Sequence, residues 1–310
     1  MNEAQKQVLS AIKKGNFFGS WLVCGAKGIG KKTFVRQLCS FLTQGDWNIP
    51  LNMGNPDIKW LEKNFTEEEK KDIQKTILAG KEVDLTDRKK KGEITVDDVR
   101  EAISFLSLKS TGSYRILIVN LAEDMNPNAA NALLKVLEEP KQDTLILLLT
   151  ENVEKLLPTI KSRCRRLTIH AMSDSEIGEI VLKQYPKVDI SKIVQLSNGS
   201  IGKALILAEK DGVALYDEFI SLCVPQPQLS IEEIGNFADK ICEDEDLFDL
   251  FKEFVLDFLK KLVLKNKDKT EEISDAYFKM IHLFSQLDSL KLDKSQLIEQ
   301  VFFKLSEVVI

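Results

Sequence analysis

The sequence predicts an α/β domain built around a nucleotide-binding loop, followed by two helical domains. Three observations support this expectation. A glycine-rich loop joins an apolar run to an amphipathic one near the start of the chain. Continuous apolar runs then alternate with helical patterns up to residue 170, as in parallel sheets whose strands are buried on both faces. The strand signal stops after Ser173, and helical patterns continue from there.

Composition is typical of an ordinary globular protein. The 310 residues are 44% hydrophobic and 29% charged, and this length suits about two domains, or three. No apolar run approaches the roughly 20 residues of a membrane span, and the amino-terminal stretch reads as a polar helix rather than a signal peptide. The five cysteines form no C-x-x-C pair, which disfavours a zinc site or disulfide framework and favours a cytoplasmic location.

Charge is distributed unevenly along the chain. Residues 211–310 contain 11 basic and 21 acidic residues, a net charge of −10, within a chain whose total is −5. Residues 1–210 therefore carry +5. This asymmetry predicts that phosphate groups face the N-terminal part. Solvated faces of mixed charge are the alternative interpretation.

The glycine-rich loop lies within residues 21–42 and matches G-x-x-x-x-G-K-[ST] at every position but the last. Glycines let backbone N–H groups close around phosphates, and the following helix adds positive potential at its N-terminus. Lys32 replaces the hydroxyl side chain that normally holds Mg²⁺, and the next residue points about 100° away on a helix. The candidate nucleotide-binding residues are Gly25, Gly28, Gly30, Lys31, Lys32 and Thr33.

A second set of catalytic groups is also missing. A P-loop ATPase carries an acidic pair at the end of a second buried strand, where one carboxylate helps hold Mg²⁺ and the next activates water. Here Asn120 and Leu121 follow that strand. Glu123 and Asp124 come later and are expected to serve the following turn and helix. The sequence therefore predicts a nucleotide-binding loop without the groups for hydrolysis, and no metal site.

The other elements of the α/β domain are predicted from their local patterns. Strands are expected over residues 20–24, Ile58–Leu61, 114–120, Thr144–Thr150 and 166–170. Helices are expected over residues 1–15, after the loop, from a capping box at Thr95 and Asp98, and from Asn126-Pro127 to Pro140. Residues 62–93 are dense in charge and predict a surface insertion.

Beyond residue 170 the chain is predicted to be helical. Ser173 and Glu176 form a second capping box, and short helices are expected over residues 174–184, 189–197 and 199–210. Residues 212–310 carry apolar stripes at helical spacing, which we interpret as bundle core, with an oligomerisation face as the alternative. One stripe is Phe278, Ile281, Phe284 and Leu287, and a loop is expected at Pro225 and Pro227. The predicted domains are residues 1–170, 171–211 and 212–310.

Four sequence blocks resemble the bacterial clamp-loader ATPase family in their order and spacing. They are GAKGIGKKTF, EITVDDVREAISFLS, AEDMNPNAANALLKVLEEP and LLPTIKSRCRRL, and they cover most of residues 1–170. The resemblance implies an α/β P-loop domain of the AAA+-like type, a small helical lid domain and an all-α C-terminal collar domain.

The chain departs from the motor subunits of this family, called tau/gamma. Those subunits carry a Ser or Thr after the P-loop lysine, an Asp-Glu pair, a cysteine-rich zinc module and an arginine after a Gly-Ser-x motif. The residues found here instead are Lys32, Asn120, Leu121, the single Cys39, and Gly202 followed by Lys203. The resemblance is therefore to a clamp-loader subunit that does not hydrolyse ATP.

The motif Ser162-Arg163-Cys164 is retained. In the family its arginine acts in trans, at the ATP site of a neighbouring motor subunit, so the resemblance implies a catalytic arginine finger at Arg163. A guanidinium suits that role because its fork of donors matches phosphate oxygens. On the residues alone, Arg163 among Lys161, Arg165 and Arg166 reads as a basic surface patch.

The resemblance implies a non-hydrolysing part of the DNA polymerase III holoenzyme that helps load the ring-shaped sliding clamp on primed DNA. The implied partners are the tau/gamma and delta subunits, the clamp and, through the complex, DNA, with no membrane. No cofactor is required, although ATP binding stays open. Two other interpretations remain, an active motor ATPase with an unusual metal arrangement and an independent nucleotide sensor.

Overall fold

The computed structural model describes residues 3–15, 17–52, 54–64, 69, 92–112, 114–223, 231–290 and 293–309. The chain forms two compact units, Met1–Ala171 and Met172–Ile310. The N-terminal unit contains a sheet, and the described part of the C-terminal unit is helical. Most of the predicted surface insertion and both Pro225 and Pro227 lie outside the described residues.

Parallel strands form the sheet of the N-terminal unit, in the spatial order β2-β3-β4-β1-β5. The strands are β1 (Gly19–Cys24), β2 (Ile58–Leu61), β3 (Arg115–Val119), β4 (Thr144–Thr150) and β5 (Arg165–Thr168). The described α-helices of this unit are α1 (Glu3–Lys13), α2 (Lys31–Gln44), α3 (Val96–Ser107), α4 (Pro127–Glu138) and α5 (Pro158–Arg163). The predicted α/β fold with a parallel sheet is confirmed.

The sheet is covered by helices on both faces. Along β4, Leu145, Leu147 and Leu149 belong to a core shared with α1 and α2, whereas Ile146 and Leu148 belong to a core shared with α3, α4 and α5. The alternation follows the two-residue period of a strand. Because both faces are covered, the ends of the strands are where polar side chains and loops are free to form a site.

The C-terminal unit packs its helices around one hydrophobic core. The described helices are α6 (Asp174–Gln184), α7 (Ile190–Ser197), α8 (Ile201–Glu209), α9 (Gly212–Cys223), α10 (Ile231–Cys242), α11 (Glu245–Lys265), α12 (Thr270–Leu290) and α13 (Lys294–Val309). Ile177 of α6 and Phe251 of α11 belong to the same core. The helices of the predicted lid and collar therefore share buried contacts, and the boundary at residue 211 stays a prediction.

Both predicted capping boxes are confirmed. The Thr95 N–H donates to Asp98 Oδ2 at 2.9 Å, and the Ser173 N–H donates to Glu176 Oε2 at 2.9 Å. Each side chain thus satisfies a backbone group that the first helical turn leaves unpaired. These contacts set the starts of α3 and α6.

One predicted core stripe is wrong in its register. Phe278 and Ile281 are 67% and 41% exposed, because α12 buries Ile273, Ala276 and Met280 instead. Each residue of offset rotates a side chain by about 100° around the helix axis, so the predicted and the buried residues face different directions. Phe284 is partly buried, and the side chain of Leu287 lies outside the described residues. No helix in the described part of the chain is long and apolar enough to span a membrane.

Candidate functional site: the nucleotide-binding loop and Arg163

The nucleotide-binding loop connects the carboxyl end of β1 to the N-terminus of α2. Its predicted glycines are needed for their backbone geometry, since Gly28 and Gly30 have φ angles of +72° and +98°. A Cβ at Gly25 would lie 2.9 Å from the carbonyl oxygen of Ile169. The loop therefore has the tight backbone that the motif predicts, with Gly30 directly before α2.

Lys31 is buried and turned back onto the loop. Its Nζ donates to the carbonyl oxygens of Gly25 and Ala26 at 2.8 Å each, and lies 3.5 Å from Glu151 Oε1. Burial lowers the pKa of the Lys31 ammonium, while the Glu151 carboxylate acts in the opposite direction. Glu151 directly follows β4, so the end of a neighbouring strand supplies the counter-charge.

Lys32, at the position of the missing hydroxyl, is exposed and pairs with an acidic side chain. Its Nζ lies 3.6 Å from Glu62 Oε2. The same oxygen accepts a hydrogen bond from Asn120 Nδ2 at 3.2 Å. An ammonium and an amide N–H₂ thus converge on one carboxylate, in the place where a P-loop ATPase has its hydroxyl and its acid. Thr33 is exposed and offset by one position.

This arrangement does not fit Mg²⁺. Magnesium prefers oxygen ligands in an octahedral shell, whereas Lys32 offers only a positive charge and Asn120 turns its amide N–H₂ to Glu62. The Lys32 ammonium already faces the carboxylate of Glu62. Among the described residues there is no cluster of three or more His, Cys, Asp or Glu side chains that could hold a metal ion.

Glu123 and Asp124 do not serve the helix that follows them, so that expectation is wrong. Glu123 Oε1 accepts hydrogen bonds from the N–H groups of Glu151 at 2.8 Å and Asn152 at 3.2 Å. Asp124 Oδ1 lies 3.0 Å from the Nζ of Lys63. Both carboxylates are thus bound to loops that leave other strands, and neither replaces the missing acidic pair.

Glu62, Glu123 and Glu151 were not predicted as site residues. They come from three separate segments, and no spacing in the sequence links them. Glu62 and Glu151 nevertheless each follow a strand directly, at the carboxyl edge of the sheet. The rule that ligands bind beyond the carboxyl ends of parallel strands would have found both.

Arg163 is the last residue of α5. Its Nη1 donates to the carbonyl oxygen of Thr159 at 3.1 Å, and its Nε lies 3.3 Å from Glu138 Oε2. Ser162 Oγ donates to the same carbonyl at 3.1 Å. Burial raises the pKa of the Cys164 thiol to about 12, so this third member of the motif is an inert packed side chain.

Arg163 and the nucleotide-binding loop lie at opposite ends of the parallel strands. β5 is an edge strand that runs parallel to β1, with Arg165 opposite Trp21 and Thr168 opposite Cys24. Arg163 precedes the amino end of β5, whereas the loop leaves the carboxyl end of β1. The structure therefore does not bring the predicted arginine finger to its own nucleotide loop.

Lys203, the cation near the expected arginine position of the second domain, is committed to other contacts. It is buried, and its Nζ lies 3.0 Å from Glu253 Oε2 and 3.6 Å from Asp257 Oδ2. Both carboxylates belong to α11 of the same unit. This lysine thus links α8 to α11 by ion pairs.

Comparisons with known proteins agree with the resemblance seen in the sequence. A family model described as "DNA polymerase III, delta subunit" matches residues 1–173. The delta' subunit of DNA polymerase III from Pseudomonas aeruginosa is 40% identical over 34% of this chain and 34% of its own length. The gamma subunit from Buchnera aphidicola subsp. Schizaphis graminum is 27% identical over 66% of this chain and 56% of its own length. The alignments thus span about half or less of these relatives.

A solved structure shares the fold. A DNA polymerase III gamma subunit-related protein from Thermotoga maritima superposes with a TM-score of 0.54, at 19% identity, over 100% of both chains. The family model covers more than half of the 310 residues, and several relatives carry the delta' name. The chain therefore belongs to the DNA polymerase III delta-subunit family of clamp-loader proteins, together with delta' subunits.

Proposed function

We propose that the chain is a delta-prime type subunit of a DNA polymerase III clamp loader that does not hydrolyse ATP itself. In this role it assembles with delta and tau/gamma subunits and helps place the sliding clamp on primed DNA. The proposal rests on family membership for the complex and on the residues of the nucleotide-binding loop for the lack of hydrolysis. Its location is then the cytoplasm, where replication takes place.

The observation that supports the lack of hydrolysis most directly is the convergence of Lys32 and Asn120 on Glu62. Hydrolysis by a P-loop ATPase needs Mg²⁺ bridging the phosphates and a carboxylate or amide that positions the attacking water. At this edge of the sheet, the metal position faces a lysine, and Glu62 is engaged by both neighbours. Nucleotide binding without turnover stays compatible with the loop, because the glycines and Lys31 are present.

Relatives named gamma favour a second candidate, an active motor ATPase. These matches extend over more of the chain than the delta' match does. The motor requires a metal arrangement built without the usual hydroxyl and acid. An independent nucleotide sensor is a weaker alternative, because it leaves Arg163 without a role.

ATP hydrolysis by the isolated chain separates the two candidates. We expect no Mg²⁺-dependent phosphate release above background for the wild type, and no change on substitution Lys31→Ala. A turnover that Lys31→Ala abolishes would contradict the proposal and favour the motor. Copurification with the delta and tau/gamma proteins of the same genome tests assembly separately. The lack of hydrolysis and the assembly into a complex can therefore be contradicted independently.

We further propose that Arg163 acts in trans, on ATP bound by an adjacent motor subunit. Arg163 lies at the amino end of β5, whereas the nucleotide-binding loop of the same chain lies at the carboxyl end of β1, and this separation supports a use in trans. A guanidinium there stabilises the charge that develops on the transferring phosphoryl group.

A further inference from the structure

Two of the three nitrogen atoms of the Arg163 guanidinium face oxygen atoms of this chain. Nη1 donates to the carbonyl oxygen of Thr159 on the same helix, and Nε lies 3.3 Å from Glu138 Oε2 at the end of α4. The Nε–H makes no directed hydrogen bond, so the attraction between Arg163 and Glu138 is mainly one of charge. Arg163 is thus held by one hydrogen bond within α5 and by a charge interaction with the end of α4.

The third nitrogen atom of the guanidinium, Nη2, donates no hydrogen bond to any residue in the described part of the chain. The Arg163 side chain is 30% exposed and that of Glu138 is 59% exposed. Nη1 and Nε therefore face the protein, while Nη2 remains available to donate to phosphate oxygens.

The backbone of Glu138 belongs to α4, a helix that packs against α5. Glu138 is the last residue of α4, and α4 packs against α5 through a core that includes Leu137 and Ile160. The neighbouring Glu139 is also exposed, but it makes no ion pair with Arg163. Only one of the two adjacent carboxylates therefore faces the guanidinium.

We propose that Glu138 is a positioning residue for Arg163, which orients the guanidinium so that its Nη2 meets the phosphate of a neighbouring subunit. This inference rests on the proposed trans role of Arg163. A finger whose orientation is set before ATP arrives loses less rotational freedom in the transition state. Without Glu138, the guanidinium keeps only the contact to Thr159 and samples more orientations.

The expected effect of Glu138→Ala is on the rate of chemistry and not on ATP binding. The measurement is single-turnover ATP hydrolysis by the reconstituted complex. The kinetic phase that disappears in the Arg163→Ala complex is the phase that depends on Arg163. We expect Glu138→Ala to slow this phase about two- to fivefold, as befits a partly exposed ion pair. The ATP concentration for half-maximal rate stays unchanged, because the finger acts in the transition state.

Two controls separate positioning from a general effect on the fold. Glu139→Ala removes the adjacent carboxylate and is expected to leave the Arg163-dependent phase at the wild-type rate. In an Arg163→Ala background, Glu138→Ala should change nothing further, because Glu138 acts only through Arg163. Assembly of each variant complex is measured by size-exclusion chromatography, so that rates are given per assembled complex.

The outcomes distinguish this inference from the proposed function. If Arg163→Ala removes no phase, the trans role itself is wrong. If Arg163→Ala removes the phase but Glu138→Ala leaves its rate unchanged or raises it, Glu138 does not position the arginine. If Glu138→Ala lowers the hydrolysis rate by the same factor in the presence and in the absence of Arg163, Glu138 does not act through Arg163, which also overturns the inference.

Discussion

Glu62 receives two donors at the carboxyl edge of the sheet, the Lys32 ammonium and the Asn120 amide. Lys32 belongs to α2, Glu62 follows β2 and Asn120 follows β3. The contacts therefore link three elements at the carboxyl edge of the sheet.

Asp57 illustrates a buried charge used for structure at the amino edge of the sheet. Its carboxylate accepts hydrogen bonds from the Thr111 N–H and hydroxyl and from the Gly112 N–H, at 2.7–3.1 Å, and lies 3.6 Å from Arg115. Burial by itself would raise the pKa of Asp57, but these hydrogen bonds and Arg115 outweigh it and lower the pKa. The ionised form is thus favoured in the folded state.

This lowered pKa makes stability depend on pH. The contribution of Asp57 is fully present above the pKa of an unfolded aspartate, about 3.9, and is lost as the pH falls through the lower folded value. We expect Asp57→Asn to reduce the free energy of unfolding by about 2–3 kcal/mol near neutral pH, since it leaves Arg115 without its carboxylate. Below about pH 4 the difference between the variant and the wild type should shrink.

Urea unfolding followed by tryptophan fluorescence measures this effect. The three tryptophans, Trp21, Trp47 and Trp60, all lie in the N-terminal unit, so the signal reports on that unit. A difference in unfolding free energy that stays constant from neutral to acid pH would contradict the assignment to the Asp57 carboxylate.

Individual site residues were predictable where a motif defines a position. The loop glycines, Lys31, Lys32 and Asn120 are identified from spacing alone, because each stands at a fixed place in the motif or directly after a strand. The partners Glu62, Glu151 and Glu138 were not predicted. They meet the motif residues only through the order of strands or the packing of α4 on α5, which local patterns do not contain.

Within the C-terminal unit, α9 packs closely against α8 and α11 at Gly212. A Cβ at Gly212, the first residue of α9, would lie 2.7 Å from Leu207 Cδ2 and 3.2 Å from Leu250 Cδ1. Leu207 belongs to α8 and Leu250 to α11. The predicted boundary between lid and collar at residue 211 thus falls at a tightly packed contact.

We predict opposite effects for alanine at two glycines of this unit. Gly212→Ala overpacks the contact with Leu207 and Leu250 and should lower stability by about 1–3 kcal/mol. Gly235→Ala, inside α10, has no atom within 4 Å of the added Cβ and should raise stability by about 0.5–1 kcal/mol through helix propensity. Thermal unfolding followed by circular dichroism measures both. A Gly212→Ala variant as stable as the wild type would show that α8, α9 and α11 do not pack this closely.

Elements with strong local signals were predicted well. β4 and β2 match their predicted bounds, and α3 and α6 begin at their capping boxes. The register of α12 was wrong, because Phe278 and Ile281 are as apolar as the residues that are buried. Apolar periodicity predicts a helix, but a helix with apolar residues around much of its circumference has its buried face chosen by its neighbours.

Across the N-terminal unit as a whole, the nucleotide loop and Arg163 lie at opposite ends of the parallel strands. This layout suits the proposed role of Arg163, in which Arg163 of one subunit meets the nucleotide of the next. The sequence implied this use only through family resemblance, since the parallel pairing of β5 with β1 decides at which end of the sheet each residue lies.

The most direct test of the account is ATP hydrolysis by the reconstituted complex in which this chain carries Arg163→Ala. An arginine finger contributes roughly a thousandfold or more at its own site. We expect assembly to be unchanged, DNA-stimulated hydrolysis and clamp loading to fall, and Arg163→Lys to restore little, because an ammonium lacks the planar fork of donors. The total loss is smaller than the loss at one site where other interfaces keep their own arginines. A complex of Arg163→Ala that assembles, hydrolyses ATP and loads the clamp at wild-type rates would contradict the account and leave Arg163 as a surface charge.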